Sequence, residues 1–64
     1  TEARFIGSPI DFLVFPGLSA DRPTEIVLLE IKTGKTGRLT DREKMIRELV
    51  LHGKVRWELI HQGK

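Results

Sequence analysis

Apolar and polar residues along this chain fall into five short blocks, separated by glycine and proline breaks. Gly7-Ser8-Pro9 marks a turn. Pro16-Gly17 opens a loop that runs through Ser19, Asp21 and Pro23. Gly34 and Gly37 lie in a second loop, and Gly53 closes the block before the C-terminal stretch. Residues 3–6 and 10–15 read as strands. Residues 25–32 (Glu-Ile-Val-Leu-Leu-Glu-Ile-Lys) read as a third, because a β-branched, apolar run so short and so well bounded favours strand over helix. Residues 39–53 read as a helix. Thr40 and Glu43 have capping-box spacing, Asp41 adds negative charge at the positive end of the dipole, and Gly53 supplies a left-handed C-terminal residue. Met45, Ile46, Leu49 and Val50 form one apolar stripe at helical spacing, expected to face the core. Val55, Trp57 and Leu59 alternate with Arg56 and Glu58, which predicts a last strand.

The expected fold is thus α/β (α+β): a single domain over residues 1–64, with a mixed sheet in the order β-β-β-α-β. The first three strands should form antiparallel hairpins, and the last β-α-β crossover should be parallel and right-handed. Apolar residues on both faces of residues 25–32 predict a central strand. Pairing Phe15 with Ile26 across the 16–25 loop sets Leu13 opposite Leu28 and Asp11 opposite Glu30. That register matches apolar with apolar and acid with acid. One helix covers one sheet face, so the other face is expected to need a second copy of the chain or a partner segment.

Length sharpens that expectation. A chain of 64 residues buries only about 60% of the surface its unfolded state exposes. It has no cysteine to staple it with disulfides or to hold zinc. No apolar run approaches the roughly 20 residues of a membrane span, and no signal-peptide pattern is present. The expectation is a cytoplasmic domain with no membrane partner. The chain begins at Thr1 rather than Met, which fits a processed or excised piece. Charge is uneven: residues 1–32 carry three basic and five acidic groups, residues 33–64 eight basic and four acidic. A basic half suits a polyanion such as nucleic acid; the plainer reading is a solvated helix face.

The candidate chemistry lies where Asp11 and Glu30 meet. Two opposed carboxylates repel, and a semi-buried, uncompensated pair costs several kcal/mol, of order 3–5. Lys32, on the same face as Glu30, can compensate. So can a divalent cation, for which one or two carboxylates plus waters and phosphate oxygens suffice. Such a cation polarises a phosphodiester and activates water, and Lys32 can orient or deprotonate that water or neutralise developing charge. A metal-free Asp11–Lys32–Glu30 salt-bridge cluster is the alternative.

Pro9-Ile10-Asp11, followed about twenty residues later by Glu30-Ile31-Lys32, resembles the PD-(D/E)XK nuclease signature. One residue separates Pro9 from Asp11, a departure at a proline that varies in that family. More closely, Phe-Ile-Gly-Ser-Pro-Ile-Asp-Phe, Glu-Ile-Lys-Thr-Gly-Lys, a Leu-Thr-x-x-Glu helix start and Val-Arg-Trp-Glu are similar to archaeal Holliday junction resolvase-related endonuclease-like domains, over most of the chain. The resemblance implies a Mg²⁺- or Mn²⁺-dependent endodeoxyribonuclease acting on branched or double-stranded DNA. It implies Asp11, Glu30 and the Ile31 carbonyl as metal ligands and Asp11, Glu30 and Lys32 as catalytic. It also implies an N-terminal helix, often bearing a further catalytic Glu, which these 64 residues are expected to start too late to contain. Glu2 is the only acid before Asp11 and is not a candidate for that role. The alternative function is a non-catalytic DNA-binding or assembly module that keeps the fold.

Other features change the picture less. Thr33-Gly34-Lys35-Thr36-Gly37-Arg38 fails the Walker pattern, because the position five before Gly34 is Leu29. Lys35 and Arg38 in that loop, with Arg42 on the helix, are the candidate phosphate contacts. Trp57 is expected in a core or an interface rather than stacked on a base. Ser8 is read as turn chemistry and His52 as a helix-end residue.

Overall fold

The computed structural model describes residues 2–35 and 37–63. Three short strands, β1 (Ala3–Phe5), β2 (Phe12–Val14) and β3 (Val27–Leu29), precede one helix, α1 (Asp41–Leu51). The sheet is antiparallel in the order β1-β2-β3. Leu13 pairs with Leu28, so the expected register holds through β2 and β3. On the other side Phe5 faces Phe12, their ring centroids 5.5 Å apart and edge-on at 69°, the geometry in which aromatic quadrupoles attract.

The loops explain how such short strands stay in line. Ile6 N–H donates to the Asp11 carbonyl at 2.8 Å and closes the β1–β2 turn over a cis Ser8–Pro9 peptide. The β2–β3 connection winds through a 3₁₀ turn at Leu18–Ala20, an element the sequence pattern does not reveal. It is stitched by Arg22 N–H to the Gly17 carbonyl (2.8 Å) and Thr24 N–H to the Pro16 carbonyl (3.0 Å). Gly17 sits at φ 85°, and a Cβ there would run into the Arg22 carbonyl oxygen. Glu2 anchors the same loop by accepting from Ser19 Oγ (2.7 Å) and Ser19 N–H (3.1 Å), which lowers its pKa. Its carboxylate is therefore engaged in loop anchoring.

The helix starts where the capping box predicts. Thr40 Oγ1 accepts from Glu43 N–H at 3.2 Å, and Glu43 Oε1 accepts from Thr40 N–H at 2.8 Å. At the other end Gly53 adopts φ 70° and Lys54 N–H donates to the Leu49 carbonyl at 2.8 Å. The apolar stripe is only partly buried. Ile46 is half-buried, whereas Met45 is 64% exposed, so the inward face runs through Ile46 and Val50 rather than the whole stripe. Ile10 is the one buried apolar residue among those described, and it lines a cavity of about 370 Å³ between β3 and α1 with Leu28, Leu39 and Ile46.

Two expectations are corrected. Among the described residues no strand forms after α1: Val55, Trp57 and Leu59 alternate but are 63%, 86% and 78% exposed. Trp57 is thus not a core residue of this chain. A strand forms by backbone pairing, and alternation alone supplies no partner. As a result β3 is an edge strand, not a central one, and Ile26 and Ile31 on its flanks are 65% and 55% exposed. The radius of gyration, 14.5 Å, exceeds the roughly 11 Å expected of a compact domain of this length. Among the described residues no helix is long and apolar enough to cross a membrane.

Gly17→Ala is expected to destabilise the fold by about 1 kcal/mol or more, through the positive φ and the clash with Arg22. Urea unfolding followed by circular dichroism reads this directly; an unchanged midpoint would contradict the loop geometry.

Candidate functional site

Sheet register brings the two acids together. β2 and β3 end at Phe12 and Leu29, and the next residues outward are Asp11 and Glu30. Each carboxylate accepts a hydrogen bond from the opposite strand's backbone. Asp11 N–H donates to Glu30 Oε1 at 3.1 Å, and Ile31 N–H donates to Asp11 Oδ2 at 3.3 Å. The backbone amides thus offset part of the repulsion that parity predicts.

Lys32 supplies the rest. Its Nζ lies 3.0 Å from Glu30 Oε2 and 2.8 Å from Glu43 Oε1, with a further contact to Glu43 Oε2 at 3.0 Å. The ammonium is held between a strand-end acid and a helix acid. Glu43 is buried, at 7% exposure, and the Glu30 and Lys32 side chains are 13% and 28% exposed. The charges therefore meet in partial shelter, where pairing matters more than on an open surface.

The electrostatics follow from this geometry. Hydrogen bonding to the Glu30 carboxyl, then to Lys32 and the Thr40 amide, lowers the Glu43 pKa to about 2. The same Glu43 contact raises that of Glu30, so the proton the two acids compete for resides on Glu30 as pH falls. Bonds to Glu43 and then Glu30 raise the Lys32 pKa, which keeps its ammonium charged at neutral pH.

Asp11, Glu30, Ile31 and Lys32 are therefore brought together as neighbours. Glu43 is the residue that sequence reasoning assigned only to the helix cap. The missed signal lies in its spacing: positions 43, 46 and 50 share one helical face, and an acid on the inward face needs a cation. Lys35, Arg38 and Arg42 are exposed, the first two on the 33–39 loop and the third on the first turn of α1, and none forms an ion pair with the cluster. Thr36 of that loop lies outside the described residues. Ser8 lies in the β1–β2 turn, and His52 caps α1, its Nδ1 2.8 Å from the Glu48 carbonyl.

Among the described residues no group of three or more His, Cys, Asp and Glu side chains has metal-holding geometry. The donors at hand are the Asp11 and Glu30 carboxylates, both hard oxygens. This set fits Mg²⁺ or Mn²⁺, which need only one or two carboxylates from the protein, and does not fit a soft metal.

A family model described as endonuclease related to archaeal Holliday junction resolvase matches residues 1–62. No curated protein and no solved structure matches the chain.

The shifted acids carry a pH signature. Glu43 has a folded pKa below its ordinary 4.5, so its stabilising contribution is complete above that value and is lost as pH falls toward about 2. Glu30 shifts the other way and offsets part of the loss. Glu43→Gln, which retains a capping side chain, is expected to flatten the acid limb of stability against pH. An acid limb identical to that of the parent chain in thermal melts between pH 5 and 2 would contradict the assignment.

Proposed function

The chain belongs to the family of endonucleases related to the archaeal Holliday junction resolvase, and from that premise we propose that it hydrolyses phosphodiester bonds of branched or double-stranded DNA at the Asp11–Glu30–Lys32 cluster. The observation that carries this reading is the convergence of the two acids and Lys32 at the ends of β2 and β3. In this reading the chain is a minimal PD-(D/E)XK core.

Asp11 and Glu30, with the Ile31 carbonyl, would hold Mg²⁺ or Mn²⁺. The cation supplies Lewis acidity for the phosphoryl oxygen and a water of lowered pKa. The residues of the chain do the remaining work. Cross-strand bonds fix the two carboxylates relative to each other before substrate arrives, a form of preorganisation. Lys32, kept charged by its acidic neighbours, neutralises charge that develops on the phosphoryl oxygens as water attacks phosphorus. Its raised pKa favours that role over general base. Lys35, Arg38 and Arg42 contribute sequence-independent contacts to backbone phosphates. Exposed Phe5, Ile31 and Trp57 support a homodimer or a partner segment covering the open sheet surface. Trp57, Leu59 and Ile60, exposed beyond α1, favour a second reading, a non-catalytic DNA-binding or assembly module.

The test is cleavage of branched, duplex and single-stranded DNA with Mg²⁺ or Mn²⁺. Asp11→Asn and Glu30→Gln should each lower turnover about 10²-fold or more without unfolding the chain. Undiminished cleavage in both variants would sink the assignment, and DNA binding without cleavage by the parent chain would favour the module. Lys32→Ala should lower kcat more than DNA affinity. Affinity itself should fall linearly with salt on a log–log plot, as counterion release requires.

A further inference from the structure

Glu30 has two claims on it. It is one of the acids proposed above to hold a divalent cation, and its Oε2 is bonded at 3.0 Å to the Lys32 ammonium. A cation at Glu30 therefore competes with Lys32 for the same carboxylate, and an ammonium displaced into a partly sheltered site without a partner is costly. The structure already holds the alternative partner. Glu43 contacts Lys32 Nζ through both oxygens, at 2.8 and 3.0 Å, and is the more buried acid. The capping box fixes the Glu43 carboxylate independently of Lys32, since its Oε1 also accepts from Thr40 N–H at 2.8 Å.

From this geometry we propose that Glu43 is a positioning residue that holds the Lys32 ammonium so that Glu30 Oε2 is released to a divalent cation while Oε1 keeps its bond from Asp11 N–H. The inference rests on the metal-dependent reading above and adds a residue to it. Lys32 keeps two contacts to Glu43 when it yields Glu30 Oε2, so no charge is left unpaired in the exchange. Glu43 acts through Lys32 and touches neither cation nor DNA. Without it, Lys32 leans wholly on Glu30 and obstructs the cation.

Mn²⁺ binding to the full chain, measured by isothermal titration calorimetry without DNA, tests this. Glu43→Gln should weaken Mn²⁺ binding by about tenfold, as expected of residues coupled through direct contact. Gln serves at this capping position as Glu does, and far-UV circular dichroism checks that α1 persists. Glu43→Asp keeps the charge but retracts it from Nζ, and should weaken binding in the same direction; it carries the test if the Gln variant fails to fold. In a Lys32→Met background, Glu43→Gln should change nothing. An unchanged affinity in both Glu43 variants overturns the proposal. So does an equal loss with and without Lys32, which would make Glu43 a ligand or a distant charge. If the parent chain binds Mn²⁺ in a manner that Asp11→Asn and Glu30→Gln abolish, the metal reading stands whatever Glu43 does. If it binds none, that reading and this inference fall together.

Discussion

The Lys32 ammonium between Glu30 and Glu43 is the contact on which the arrangement of this chain turns. Among the described residues it is the polar tie from the sheet to the helix. The strands alone form a small three-stranded ribbon, and the apolar residues between β3 and α1 line an open cavity rather than a closed core. Apolar burial in so short a chain leaves little to hold a helix in a fixed place. One lysine with two acids, one on each element, gives that place a direction as well as an attraction.

The cluster also depends on the sheet. Asp11 and Glu30 meet because β2 and β3 pair in one register, and each then borrows a backbone amide of the other's strand. A slip of one residue would turn every side chain of β3 to the opposite face and part the acids. Register, acid pair and lysine are therefore one constraint seen at three scales. The tight β2–β3 loop, with its left-handed Gly17 and the stitching by Arg22 and Thr24, keeps that register with only three residues in each strand.

Much of this was legible in the residues. Side-chain parity in residues 10–15 and 25–32 favoured Leu13 opposite Leu28, because that match sets apolar against apolar and Asp11 against Glu30. The Thr40–Glu43 spacing located the helix start because the cap is a local device that needs no tertiary partner. What was not legible depended on distance in the chain. Glu43 serves the cap and Lys32 at once, and its local role was sufficient to explain it, so nothing called for the second. The stretch at Val55, Trp57 and Leu59 has strand alternation, but pairing is decided by a neighbouring edge that alternation does not encode. The 3₁₀ turn at Leu18–Ala20 follows from backbone bonds within the loop, which composition does not specify.

Trp57 is the single tryptophan of the chain and stands 86% exposed beyond the end of α1. The chain therefore carries its own optical probe on its exposed C-terminal stretch. Indole emission responds to solvent polarity. Docking of the C-terminal stretch against β3, a second copy or another surface would register as a blue shift, with no label introduced. Because Lys32 and its acids lie on other elements, that signal reports the completion of the sheet separately from events at the charged cluster.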